Sequence, residues 1–64
     1  MRLRFKEKEL VLVRCAPAIF REGIVNEYVK NVGIYETYNV TYKNEEGKEY
    51  VGTFCDVDMM PLAL

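Results

Sequence analysis

The chain has 64 residues with 9 basic and 10 acidic side chains, a net charge of −1, and no histidine. A chain of this length forms one domain and buries only about 60% of the surface that it exposes when unfolded, so its core must be small. Half of the residues are hydrophobic and 30% are charged, a composition typical of a globular domain and not of a disordered chain. We therefore predict a single domain spanning residues 1–64.

Two missing residue types limit the possible chemistry. The chain has neither His nor Ser, so it cannot build a Ser-His-Asp site or a Cys-His variant by itself. Cys15 and Cys55 are the only thiols, too few for a structural zinc site. We expect no enzyme activity, no metal and no cofactor.

The apolar run Leu10–Val13 is too short for the core of a signal peptide or for a membrane span. We expect a cytoplasmic protein with no membrane partner and with reduced thiols. Cys15 and Cys55 are then expected to face the interior as small apolar side chains, with a functional pair as the alternative.

The first segment, "MRLRFKEKE", alternates with a period of two. It predicts an edge strand with Leu3 and Phe5 on one face and basic residues on the other: Arg2, Arg4, Lys6 and Lys8. Those basic residues either protect the edge from pairing with another chain or form a stripe for nucleic acid. The next run, Leu10–Cys15, predicts a central strand, and Pro17 predicts a loop over Ala16–Arg21.

The segment Gly23–Asn31, "GIVNEYVKN", alternates less clearly. A strand and a short helix are both possible, and the β-branched and aromatic residues favour the strand. The sequence "NVG" that ends at Gly33 indicates a turn after it.

A hairpin is the clearest local feature. Tyr38, Val40 and Tyr42 share one face of its first strand, and "KNEEGK" then supplies Gly47 for a left-handed turn position. The return strand "EYVGTF" places Tyr50, Gly52 and Phe54 together on one face.

The C-terminal part predicts a tight turn at Asp56 and Asp58, an end to helical winding at Pro61, and a last short strand over Leu62–Leu64. About five short strands in so few residues favour closure into a small barrel. The apolar tail "MMPLAL" either seals this barrel against the first strand or joins a second copy, so a monomer and a homodimer are both open.

Three segments resemble SH3-like barrels of the Tudor type: Leu10–Val25, Tyr38–Val51 and Cys55–Leu62. The resemblance implies an all-β, five-stranded barrel with a one-turn helix before the last strand. Tudor domains hold methylated Lys or Arg in an aromatic cage, and the resemblance places Phe20 and Tyr42 at two of its walls. Asn26 and Glu45 fall at the other two walls, so half of a cage is expected. The segment "REGIV" also resembles the glycine-centred turn of KOW-type barrels, which contact RNA or a polymerase.

The five tyrosines exceed what one small core can hold. We expect Val40, Tyr42 and Val51 to be buried and the remaining tyrosines to form a patch that binds a partner protein or peptide. The predicted partner-binding residues are Phe20, Tyr28, Tyr35, Tyr38 and Tyr50, with Tyr42 included in its alternative role as a wall of the half-cage.

Glu45, Glu46 and Glu49 are expected in a solvated turn, and Asp56 and Asp58 are expected to stabilise the tight turn that contains them. Alternatively they form, with Glu36, an acidic rim that attracts a basic peptide. The predicted function is a small interaction module or accessory subunit; nucleic-acid binding through Arg2, Arg4, Lys6 and Lys8 is the alternative.

Overall fold

A computed structural model describes residues 2–62 and shows one antiparallel sheet of five strands. The elements are β1 (Leu10–Ala16), β2 (Ile19–Val32), β3 (Tyr35–Lys43), β4 (Glu49–Cys55), a 3₁₀ turn (Asp56–Asp58) and β5 (Met59–Pro61). The spatial order is β4-β3-β2-β1-β5. The predicted all-β fold with a helical turn before the last strand is confirmed. Strands β4 and β5 lie at opposite ends of this order, and closure into a barrel stays a prediction.

The N-terminal edge strand was predicted wrongly. Residues 2–9 contain no strand. They include a turn in which the Glu9 N–H donates to the Lys6 carbonyl at 3.2 Å and Lys8 has a φ of 67°. Phe5 packs in the core, and the local alternation of apolar and basic residues does not predict this long-range contact. We call residues 2–9 the N-terminal arm.

Two other boundaries differ from the prediction. Pro17 and Ala18 alone make the turn after β1, so Phe20 lies in β2 and not in a loop. The last strand is Met59–Pro61. Leu62 only donates its N–H to the Leu10 carbonyl at 3.1 Å, and the rest of the strand predicted over Leu62–Leu64 lies outside the described residues.

Strand β2 spans 14 residues and is interrupted by two bulges, between Val25 and Glu27 and between Tyr28 and Lys30. Each bulge adds one residue to one side of the ladder and shifts the alternation by one. Val25 and Tyr28 therefore both face the core, opposite Val40 and Tyr38, although they are three positions apart. This shift explains why the segment alternated poorly in the sequence and resembled a short helix.

The hairpin between β3 and β4 has the predicted form. The Gly47 N–H donates to the Asn44 carbonyl at 3.0 Å, and Gly47 has a φ of 82°. The Asn44 side-chain oxygen accepts the N–H groups of Glu46 at 2.9 Å and Lys48 at 3.0 Å. These bonds satisfy turn amides that the strands leave unpaired.

The core lies on one face of the bent sheet. It consists of Phe5, Val11, Val13, Val25, Tyr38, Val40 and Met59, with Tyr28, Tyr42 and Phe54 packed against it. Val40 is buried as predicted, but Val51 is 67% exposed because it pairs with Thr41 on the opposite face. Gly23 lets β2 and β3 approach closely, since a Cβ there would lie 2.7 Å from Val40 Cγ1.

Candidate functional site

The six predicted partner-binding aromatics do not form one surface. Tyr38 is fully buried, so its assignment to an exposed patch is wrong, and Tyr28 and Tyr42 are half-buried against the core. Phe20, Tyr35 and Tyr50 are exposed. Tyr50 pairs with Tyr42, seven positions along β3 from Tyr35, which at strand geometry is about 23 Å.

The half-cage implied by the Tudor resemblance is not assembled. Tyr42 pairs with Gly23 on the core face of β2. Phe20 precedes Gly23 by an odd number of residues, and no bulge interrupts β2 between them. Its side chain therefore lies on the opposite face of the sheet. Asn26 donates to Thr41 Oγ1 at 2.8 Å, and Glu45 pairs with Arg21 at 3.1 Å. These side chains serve the sheet and the turn instead of a common cavity.

Tyr38 is the centre of a buried polar network. Its ring packs edge-to-face on Phe5 and Tyr28, with centroid separations of 5.5 and 5.8 Å. Its hydroxyl donates to the Glu36 carboxylate and accepts the Phe5 N–H at 3.2 Å. Glu36 Oε1 also accepts the Arg4 N–H at 2.9 Å. Side chains of β3 thus bind the backbone of the N-terminal arm.

Burial raises the pKa of the Tyr38 hydroxyl above its usual value, and the hydrogen bond to Glu36 raises it further. The hydroxyl therefore stays protonated and remains a donor to Glu36 across the neutral pH range. Glu36 itself is buried, so it does not contribute to an exposed acidic rim.

Asp56 completes this network from the 3₁₀ turn. Its Oδ2 accepts the Glu36 N–H at 3.2 Å and lies 3.4 Å from Arg4 Nη1. Its Oδ1 is buried with no hydrogen-bond partner among the described residues. Asp58 instead pairs with Arg14 at 2.9 Å. Asp56 is therefore buried and bonds an amide of β3, whereas the sequence predicted that its carboxylate would bond amides within its own tight turn.

The four basic residues of the N-terminal arm do not form the predicted strand stripe. The arm has no strand geometry, and Arg4 is turned toward Asp56. Lys8 donates its backbone N–H to the Val25 carbonyl at 2.7 Å. Arg2, Lys6 and Lys8 are exposed, so the arm remains positively charged without the regular spacing that a strand would give.

The tip of the β2–β3 hairpin is an apolar surface that the sequence analysis missed. Gly33 and Ile34 form a two-residue turn between the paired Val32 and Tyr35. Gly33 has a φ of 63°, which fits a turn type that takes glycine first. Ile34 is 86% exposed, the flanking Val32 and Tyr35 are exposed as well, and so is Val29 further along β2. We call Val29, Val32, Ile34 and Tyr35 the hairpin tip.

A second apolar feature lies on the outer face of the sheet. Leu10 and Ile24 are cross-strand partners, and with Leu62 they line a groove of about 270 Å³ edged by Glu22, Lys43 and Glu49. A cross-strand row on the outer face was recognisable only after the register was known, because its members come from distant parts of the sequence.

The two cysteines are free, and Cys15 is exposed, which corrects its predicted interior position. Between residues 2 and 62, no group of three or more Cys, Asp and Glu side chains is placed to hold a metal ion. The part of the chain that the structure describes also has no helix long and apolar enough to cross a membrane.

Comparison with known proteins gives no assignment. No protein-family model, no curated protein and no solved structure matches the chain.

Proposed function

We propose that this protein is a small non-catalytic interaction module that inserts the hairpin tip into an apolar groove of a partner protein. The observation that supports this proposal is the 86% exposure of Ile34 at the turn of the hairpin, where the flanking pair Val32 and Tyr35 is exposed as well. A concentrated set of exposed apolar side chains on a small protein marks an interaction surface.

The fold both exposes the hairpin tip and holds the hairpin in a fixed position. Strand β1 pairs with β2 only from Ile19 to Ile24, whereas β3 pairs with β2 as far as Val32. The tip therefore extends beyond the part of β2 that β1 covers. Just below it, Thr37 Oγ1 donates to the Lys30 carbonyl at 2.7 Å and the Tyr38 network ties β3 to the N-terminal arm. These bonds hold the hairpin in place before a partner binds, which lowers the entropy cost of association.

The charge around the tip favours a protein groove over nucleic acid. Lys30 is the one charged side chain within Val29–Tyr35, and phosphate recognition needs several cations. An apolar anchor surrounded by few charges is instead typical of the centre of a protein–protein interface.

The test compares Ile34→Asp with a matched Ile19→Asp variant. Ile19 is also exposed and begins the same strand at its other end. Asp is common after Gly in two-residue turns, so Ile34→Asp should leave the fold intact, as checked by thermal unfolding. Each immobilised variant and the wild type are incubated with lysate of the natural host, with and without nuclease, and retained proteins are quantified by mass spectrometry.

We expect proteins that survive nuclease treatment to be retained by the wild type and by Ile19→Asp but lost with Ile34→Asp. For a purified retained protein, loss of an anchor worth about 2 kcal/mol should raise the Kd by roughly 30-fold. Equal retention by both variants would refute the role of the tip. Retained material that disappears after nuclease treatment would favour the alternative, nucleic-acid binding through the N-terminal arm.

A further inference from the structure

Strand β4 is an edge of the sheet, and no strand within residues 2–62 pairs with its outer side. It is the outermost strand, and β3 pairs with it in an unbroken register from Lys43↔Glu49 to Thr37↔Cys55. Its outward N–H and C=O groups are therefore presented along a regular seven-residue strand. The opposite edge differs, because β5 has only three residues and ends in Pro61.

Folded proteins usually protect an exposed edge with Lys, Pro, a bulge or extreme shortness. Strand β4 has none of these: its sequence is "EYVGTFC", and its one charge is Glu49 at the start. Its outer face presents Val51, which is 67% exposed. Such an edge is suited to pairing with another extended strand.

The sequence of β4 is nearly symmetric about Gly52. On either side of Gly52 lie first a β-branched residue, Val51 or Thr53, and then an aromatic residue, Tyr50 or Phe54. We infer that β4 pairs antiparallel with β4 of a second copy of this chain, with Gly52 on the two-fold axis. This register places Tyr50 opposite Phe54 and Val51 opposite Thr53 in both directions.

Each of these pairs is of a favourable type. Aromatic pairs and β-branched pairs on neighbouring strands stabilise a sheet. Tyr50 already packs on Tyr42 of β3, with ring centroids 5.9 Å apart, so the second copy would extend an aromatic row that exists within one chain. Each Glu49 meets an uncharged Cys55, and no like charges face each other.

The charges beyond the strand ends are also complementary. The same register brings Lys48, which precedes β4, toward the turn that follows β4 in the second copy, where the Asp58 carboxylate is accessible beside its Arg14 partner. Lys48 is exposed, and its ammonium lies 5.8 Å from the centroid of the Tyr50 ring. A two-fold axis repeats this contact at both ends. A second copy of the chain thus fits this edge in residue type and in charge.

The inference is tested with full-length protein by sedimentation equilibrium over about 5 µM to 1 mM, a range chosen because a single strand pair is a small interface. Wild type should approach twice the 7.5 kDa of one chain. Val51→Lys should remain monomeric, because the two new ammonium groups lie diagonally across the axis and repel each other. Val32→Lys is the matched control on the hairpin tip and should dimerise like the wild type.

Mixing Val51→Lys with Val51→Glu should restore a heterodimer, since the two new charges then attract. That rescue distinguishes a lost contact from a misfolded variant. Hydrogen exchange provides a second readout: the outward amides of β4 should become protected as the wild-type concentration rises. A wild type that stays monomeric at 1 mM with unchanged β4 exchange would overturn the inference. So would a dimer that survives Val51→Lys, or one that is lost in Val32→Lys. The tip proposal is unaffected by either result, because Val51 pairs with Thr41, seven positions along the chain from Ile34.

Discussion

Replacing Tyr38 by Phe tests whether the buried hydroxyl joins the sheet to the N-terminal arm. The ring is retained, so its contacts with Phe5 and Tyr28 remain and no large cavity forms. The change removes the bond from the hydroxyl to Glu36 and leaves the Phe5 N–H without its acceptor. A buried polar group left unpaired costs about 1–3 kcal/mol, and a lost hydrogen bond to a charged group costs a similar amount.

The expected loss is therefore about 2–6 kcal/mol, a large part of the roughly 5–15 kcal/mol that stabilises a typical domain. In a domain of about this size each kcal/mol lowers the Tm by at least about 4 °C, so Tyr38→Phe should melt at least about 8 °C below the wild type. Urea unfolding at neutral pH measures the free energy directly, and an unchanged m value would show that the same surface is exposed on unfolding.

Tyr35→Phe is the matched control, because Tyr35 lies on the same strand but its ring is exposed. Its stability should stay within about 0.5 kcal/mol of the wild type, as for most surface substitutions. Amide exchange at Phe5 should also accelerate in Tyr38→Phe and not in Tyr35→Phe. If Tyr38→Phe were as stable as the control, with unchanged exchange at Phe5, the network would not hold the arm.

Two more predictions follow from the core. Gly23→Ala should destabilise the fold by about 1–3 kcal/mol or more in urea unfolding. The reason is that the new Cβ would lie 2.7 Å from Val40 Cγ1 and 2.9 Å from the Thr41 carbonyl oxygen. A free energy of unfolding within roughly 0.5 kcal/mol of the wild type, the effect of a neutral substitution, would argue against this close approach of β2 and β3. Because folding raises the pKa of Tyr38, the folded state holds that proton more tightly than the unfolded state. The resulting stabilisation is complete below pH of about 10, the pKa of an unperturbed tyrosine, and is lost as the pH rises through the folded pKa. Thermal unfolding between neutral and alkaline pH should therefore show a smaller alkaline loss in Tyr38→Phe, and equal losses in both proteins would contradict the assigned pKa direction.

Local sequence was sufficient where local interactions determine the structure. The β3–β4 hairpin was predicted because Asn44 and Gly47 specify its turn, and alternation on both sides specifies its strands. The turn before the last strand was also expected at Asp56 and Asp58, although their carboxylates bond Glu36 and Arg14 and not amides of the turn. The turn at Gly33 was recognised, but the exposure of Ile34 beside it was not, because exposure depends on how far β1 covers β2.

The N-terminal arm shows where local patterns fail. Alternating basic and apolar residues predict a strand only if a neighbouring strand is available to pair with them. The structure instead places Phe5 in the core and binds the arm through Glu36 and Tyr38. These partners are more than 30 positions away in the sequence, and no local pattern connects them.

The sequence by itself determined that the protein is built from strands, where most of them lie, and which side chains of the β3–β4 hairpin share a face. Only the tertiary structure decided which face is the interior, and hence that Tyr38 is buried while Val51 is exposed. The physical reason is that a period of two defines two faces without distinguishing them. The face that becomes the core depends on the bulges of β2 and on the segments that pack against the sheet, including the N-terminal arm.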